Sequence, residues 1–312
     1  MILQYVKEFG VGMYIFNGMT RIMKKLRVSQ RLIDNYTEWK HRVANAYLYK
    51  RYQYTLSVDL VKMESEENVK NCVFVFWWQG YEQAPELVKK CIDSMKQNSG
   101  LDVVYLSSKN YMEYVTLPDY IIDKMQRGKI GLAHFSDILR FALLYHRGGV
   151  WIDATCLLTN AIPQDVFKYD FYSLNGPFSG IKGLDWKWTS FYMVGKRGNI
   201  VSKYMLEFYY QYWKEHDCSL TYLILDCWLS VLYSQCPEVR ICIDAMPKVD
   251  KSVFGLVGQM NSVYDKYNFK NIMEKTYLHK LTYKVQYAKN IGNEMTIWGY
   301  ICENLNACEL EN

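Results

Sequence analysis

Residues 134–153 read HFSDILRFALLYHRGGVWID. Phe135, Ile138, Leu139, Ala142 and Leu143 recur at helical spacing, and Gly148 or Gly149 stops the helix. The apolar run at 150–152 then predicts a short buried strand that ends on an acid, Asp153. An aspartate in that place is either a turn-former or a holder of ligand. Upstream, CVFVFWW (72–78) is a continuous apolar, aromatic run of the kind covered on both faces. Pro85 then opens a helix with Leu87, Val88, Cys91, Ile92 and Met95 on its inner face. LDVVYLSS (101–108) predicts the next strand and LPDYIIDKMQRGK (117–129) a short helix. This β-α-β-α-β rhythm predicts an α/β fold with a mostly parallel central sheet flanked by helices. Farther on, 170–175 and 190–195 read as strands, and 199–216 and 220–235 as helices, the latter stopped by Pro237.

The 312 residues provide ample material for a core, and half of them are hydrophobic with 22% charged, which argues against long disorder. The 28 tyrosines suit surfaces that meet sugars, bases or membrane interfaces, or reflect codon usage. Net charge is +5, but it is uneven: residues 1–51 hold ten Lys/Arg against three acids. The chain therefore divides into a basic helical N-terminal extension, 1–70, closed by the polar linker KMESEENVK (62–70), and a main domain, 71–312. Nine scattered cysteines with no CxxC pair suit free thiols in a reducing cytoplasm. The uncharged stretch from Phe9 to Thr20 is too short to span a bilayer of roughly 30 Å. Residues 1–51 either lie on the inner face of a membrane, basic side toward anionic lipid, or pack on the domain as an ordinary amphipathic helix.

Ligands of open α/β sheets bind at the carboxyl ends of the strands. WWQG after the first strand, SSKNY after the second and Asp153-Ala-Thr after the third occupy such ends. In the preceding helix Asp137 and Arg140 stand three apart, and Ser136 four before Arg140, so they form a polar patch on an otherwise apolar helix. The plain alternative is an i,i+3 ion pair on a solvated face, worth about 0.3 kcal/mol.

The ensemble S-D-x-x-R, an apolar stretch, then Gly-Gly, three apolar residues and Asp resembles the signature of the family 32 glycosyltransferases and their capsular-polysaccharide-synthesis relatives. FVFWWQGYEQAPELVKKCIDS resembles the opening strand and helix of that group, KNYMEYVTLPDYI (109–121) the segment between, and YLILDCWL (222–229) a later helix. The resemblance spans about residues 70–285. It implies a GT-A-like fold, a nucleotide-sugar donor such as a UDP-sugar, Mn²⁺ or Mg²⁺, and transfer of a hexose with retention. The acceptor it implies is a glycan or lipid-linked oligosaccharide of bacterial surface-polysaccharide synthesis. Asp153 matches the first Asp of the D-x-D motif, with catalytic and metal-holding roles. Asp137 and Arg140, with Ser136, match the pair that holds donor hydroxyls and the sugar-phosphate region. Trp77, Trp78, Gln79 and Asn110 match places beside the base and ribose. Strand alternation lets at most one of the two tryptophans reach the ligand, where stacking on a base is worth roughly 1–3 kcal/mol. Thr155 stands where the second metal-binding Asp would fall, and a hydroxyl is an uncharged, weak ligand.

Asp226, a lone acid on an apolar helix, needs a partner or a cleft; it matches an acidic position in a similar helix of the relatives, which implies a second catalytic residue that holds acceptor or donor hydroxyls, the alternative being a paired structural acid. His279, with Lys280 and Lys284, reads as a late metal ligand or counter-charge to diphosphate. Trp186 and Trp188, in a Gly- and Trp-rich loop, read as acceptor-facing platforms. A non-catalytic nucleotide-sugar or glycan-binding protein is the competing reading, favoured by Thr155. Nucleic acid is not an expected partner, since the basic arm carries no recognised motif, and no GxGxxG follows the first strand to suggest a dinucleotide.

Overall fold

A computed structural model describes residues 2–57, 71–176 and 187–304. The polar linker at 62–70 and Trp186 lie outside the described residues. Two helices come first, α1 (Ile2–Lys25) and α2 (Gln30–Tyr52). The alternating segment follows: β1 (Cys72–Phe76), α3 (Glu86–Asn98), β2 (Asp102–Leu106), α4 (Asp119–Gln126), α5 (Leu132–His146) and β3 (Gly149–Ile152). Then come β4 (Cys156–Leu158), β5 (Phe171–Ser173), β6 (Tyr192–Gly195), α6 (Ile200–Glu215), α7 (Ile224–Gln235) and α8 (Pro237–Asp244). The described chain closes with α9 (Lys266–Glu274), β7 (Leu278–Lys280), a hairpin of β8 (Asn290–Ile291) and β9 (Glu294–Met295), and α10 (Ile297–Asn304).

Five strands form the central sheet in the order β2-β1-β3-β6-β5. β2, β1 and β3 pair in parallel, as the alternation of strand and helix predicts, while β6 runs antiparallel between β3 and β5. Four strands therefore point one way and β6 the other. The reversal has a local consequence. The start of β6 meets the carboxyl end of β3, where the Asp153 amide donates to the Phe191 carbonyl at 2.9 Å.

The turn from α5 into β3 requires both glycines. Gly148 and Gly149 take φ of +71° and +100°, which L side chains rarely adopt. A Cβ on Gly149 would also lie 2.7 Å from the Cys72 carbonyl oxygen of β1. β3 can therefore pair closely with β1 (Val73 with Val150, Phe74 with Trp151), and Asp153 falls just beyond the sheet edge.

The core is aromatic. Trp151, Phe74, Phe135 and Phe141 around the sheet, and Tyr209, Trp213 and Trp228 in the helical layer, are fully buried. α2 joins this same core through Ala44, Leu48 and Tyr52, with the Tyr52 ring edge-on to Phe208 and Trp228. The kinked α1, broken at Gly10 (φ +82°), docks through Phe9 against Tyr47 and His216, and through Tyr5 and Asn17, both donating to the Leu220 carbonyl. Pro237 does not merely end α7; it opens α8, in keeping with proline's fitness for a first helical turn. A small second sheet pairs β4 antiparallel with β7, Leu157 opposite His279.

Candidate functional site

A cleft of about 420 Å³ opens at the carboxyl ends of β1 and β3. Its walls come from the turn after β1, the first half of α5, the end of β3, Ser190 just before β6, the start of α7 and the segment after β7. Trp77, Trp78, Gln79, Ser136, Asp137, Arg140, Asp153, Thr155 and Asp226 all line it. Nine of the residues singled out from sequence thus share one cavity.

At its base lies a chain of charges. Arg140 is buried and donates to Asp137 Oδ1 at 2.9 Å through Nη1 and to Asp153 Oδ1 at 3.1 Å through Nη2. The first bond is the i,i+3 pair of the sequence, here buried with the guanidinium 4% exposed rather than solvated. The Trp151 indole donates to the same Oδ1 at 3.0 Å, since residues two apart on a strand share a face. The Arg140 guanidinium also stands 5.0 Å from the Trp151 ring centre. Lys280 completes the set, its ammonium donating to Asp153 Oδ2 at 2.9 Å and to Thr155 Oγ1 at 2.8 Å.

These contacts sort the three acids. Burial works to raise Asp153, but the Lys280 and Arg140 charges outweigh it and hold the carboxyl below the usual aspartate value. Burial pushes Asp137 up to about 7 despite the pull of Arg140. Burial likewise raises Asp226 to about 6, although its Oδ1 accepts from the Trp188 indole at 3.0 Å. Asp153 is therefore a firm anion at neutral pH, while the other two hold protons readily.

Trp77 and Trp78 both border the cleft, where sequence alternation allowed one. β1 ends at Phe76, so the pair lies in the following turn and the period of two no longer applies. Trp78 packs on Tyr111 and Phe135, and Trp77 stands edge-on to Tyr283 at 5.2 Å.

Three expected residues are placed elsewhere. Asn110 does not line the cleft: its side chain holds the turn after β2, accepting from the Ser107 amide at 2.8 Å and donating to the Tyr105 carbonyl at 2.9 Å. Trp188 is 1% exposed and, instead of presenting a face to sugar, fixes Asp226 from behind. His279 is fully buried on β7 with neither ring nitrogen hydrogen-bonded, and burial pushes it down to about 4. Its neighbour Lys280 points to Asp153, so alternation turns His279 the opposite way. The position after His279, not His279 itself, serves this site. Trp151, Tyr222, Tyr283 and Lys284 are wall residues that sequence reasoning either missed or left as accessories. The i,i+2 relation of Trp151 to Asp153 was the available signal.

The donor set also bears on the divalent ion that the sequence resemblance implies. Both oxygens of Asp153 accept from cationic side chains, and the Thr155 hydroxyl from one of them. Among the described residues no group of three or more His, Cys, Asp or Glu could hold a metal. These residues, as arranged, do not fit a bound divalent ion.

A solved structure titled PaToxG Glycosyltransferase is similar to this chain at a TM-score of 0.39 and 13% identity, over 65% of this chain and 83% of that one. No curated protein matches. A family model described as capsular polysaccharide synthesis protein matches residues 24–297, a span that runs from the end of α1 through every wall of the cleft to the start of α10. The chain belongs to the capsular polysaccharide synthesis protein family.

Proposed function

We propose that the cleft binds a nucleoside-diphosphate sugar, a UDP-sugar on the present reading, and transfers its hexose with retention to a glycan hydroxyl during surface-polysaccharide synthesis. The observation that carries this is the Asp137–Arg140–Asp153 chain at the carboxyl ends of two parallel strands. A diphosphate needs cations and a sugar needs paired hydrogen-bond partners, and this chain supplies both within one cavity. Trp77 or Trp78 supplies the face on which the base stacks. In the reaction the bond from anomeric carbon to phosphate oxygen breaks, and the diphosphate leaves with the electron pair. The acceptor hydroxyl forms the new bond, and its proton passes to the departing phosphate oxygen. Arg140 and Lys284, which both line the cleft, would offset the developing negative charge.

For the acceptor, a second groove of about 860 Å³ runs beside α1, lined by Tyr5, Asn17, Arg21, Lys40 and Lys129, and meets the cleft at Tyr222. Its basic lining suits a lipid-linked, phosphate-bearing oligosaccharide. α1 would hold the protein against the inner face of the membrane. No helix among the described residues is long and apolar enough to cross one.

Incubation with a panel of nucleotide sugars tests the reading. Slow hydrolysis of one donor without acceptor is expected, and Asp153→Asn should lose at least about tenfold of it. An unchanged rate in that variant removes Asp153 from the mechanism. A non-catalytic donor-binding protein is the second reading, favoured by Thr155; it expects tight binding of a donor with no hydrolysis and no transfer.

A further inference from the structure

The resemblance brings a divalent cation to the first acid of its motif and to the residue two positions later. Here that place is filled from within the chain. The Lys280 ammonium bridges Asp153 Oδ2 and Thr155 Oγ1 at 2.9 and 2.8 Å, the two residues that the resemblance would assign to the ion. The backbone holds Lys280 beside this pair. It is the last residue of β7, whose register with β4 sets Lys280 opposite Cys156, and the Leu281 amide donates to the Thr155 carbonyl at 2.8 Å. The backbone therefore fixes the ammonium's origin next to Thr155. Its side chain is 21% exposed and its charge stands 5.1 Å from the Phe191 ring centre, a site that favours a cation. The exchange is chemically consistent: with threonine at 155 the motif has lost one negative charge, and a monovalent ammonium balances the one carboxylate that remains.

We propose that Lys280 is a built-in replacement for the metal ion, so that this protein binds the diphosphate of a nucleoside-diphosphate sugar, and transfers the sugar from it, without a divalent cation. The proposal rests on the donor reading above. Lys280 acts as a positioning residue: it neutralises the Asp153 oxygen that Arg140 does not reach, so that no uncompensated carboxylate stands under the diphosphate. Its loss would leave Asp153 half-paired under the diphosphate and weaken diphosphate binding while sparing the nucleoside.

The experiment measures affinity for UDP, GDP and uridine by calorimetry on the full chain, in EDTA and in millimolar Mn²⁺, with Mn²⁺ uptake followed by electron paramagnetic resonance. Wild type is expected to bind its preferred diphosphate equally, within about twofold, in EDTA and in Mn²⁺, and to take up no Mn²⁺ with or without nucleotide. Lys280→Ala is expected to lose at least tenfold in diphosphate affinity in EDTA with uridine binding unchanged, and to regain part of it with Mn²⁺. Lys280→Arg, which keeps the charge, should stay near wild type. Stoichiometric Mn²⁺ uptake by wild type that Asp153→Asn abolishes, or diphosphate affinity lost in EDTA, overturns the proposal. So does Lys280→Ala binding diphosphate as wild type does in EDTA. Should Lys280→Ala fail to fold, as loss of uridine binding would reveal, the wild-type arms alone decide. Absence of binding to either diphosphate in every condition would instead count against the donor reading, and the Mn²⁺ resonance would still judge Lys280.

Discussion

Asp153 accepts three hydrogen bonds, two of them from cations, and so stays ionised in a partly enclosed place. Removing one partner of such a buried arrangement is commonly worth about 3–5 kcal/mol, which makes Arg140→Ala a poor probe of chemistry; Asp153→Asn keeps the shape and one of the two accepting oxygens, and its folding should be checked alongside its rate. Asp137 is the opposite case. Its carboxyl, raised to about 7 by burial, binds a proton more tightly folded than unfolded. It has no effect on stability below about pH 4, destabilises the fold increasingly as pH rises toward 7, and exerts its full cost above that. Asp137→Asn should therefore flatten the decline: thermal unfolding between pH 5 and 8 should show wild type losing roughly 2–4 kcal/mol that the variant keeps. An identical slope in both would refute the assignment. The grouping of Ser136, Asp137, Arg140 and Asp153 was legible because helix spacing and a strand end are local properties. The choice between His279 and Lys280 was not. It depends on the phase of a three-residue strand, and its partner is 120-odd residues away in sequence.

Among the elements, the α5–β3 turn is the one whose sequence and geometry agree most closely. Gly148-Gly149 ends the helix, takes left-handed φ and lets β3 approach β1. Gly149→Ala should cost at least about 2 kcal/mol, from strained backbone together with the clash on the Cys72 carbonyl; denaturant unfolding would measure it. Donor hydrolysis should fall as well, because Asp153 is four residues downstream. At the start of α6 the Asn199 side chain accepts from the Ser202 amide, and Asn199→Ala should cost about 1 kcal/mol with no effect on the cleft. The parallel strands were readable from alternating apolar runs and amphipathic helices. The direction of β6 was not, since a strand's own residues do not record which way its neighbour runs. β4, with three residues, carries too short a pattern to distinguish from the turn before it.

On the scale of the whole molecule, the long α1 buries none of its described residues fully, and one side of it is left apolar. Val11, Ile15 and Ile22 are 58%, 52% and 48% exposed, and their spacing puts them on one stripe; Leu26, in the turn just after the helix, is 71% exposed. Arg21, Lys24, Lys25, Arg27 and Arg31 crowd the same end. That combination suits a helix lying on anionic lipid. Ile15→Asp together with Ile22→Asp should reduce sedimentation with phosphatidylglycerol vesicles at least tenfold while donor hydrolysis in solution stays unchanged. Equal sedimentation would leave the stripe without a lipid role. From sequence, residues 1–51 either lie on a membrane or pack on the domain; the structure shows the packing, through Tyr5, Phe9 and Asn17, and composition could not tell that docked face from the open one.

The β4–β7 pairing ties the beginning of the cleft to nearly the end of the chain. A ribosome makes the sheet, α5 and Asp153 long before it makes Lys280. Until that lysine emerges, the nascent protein holds an acid facing a single guanidinium, and a chain broken off between residues 254 and 278 has the main core residues except Leu278 yet lacks the second cation on Asp153. If Lys280 completes the site as proposed, diphosphate binding should appear only in fragments that extend past residue 280, which puromycin-released fragments of graded length would test.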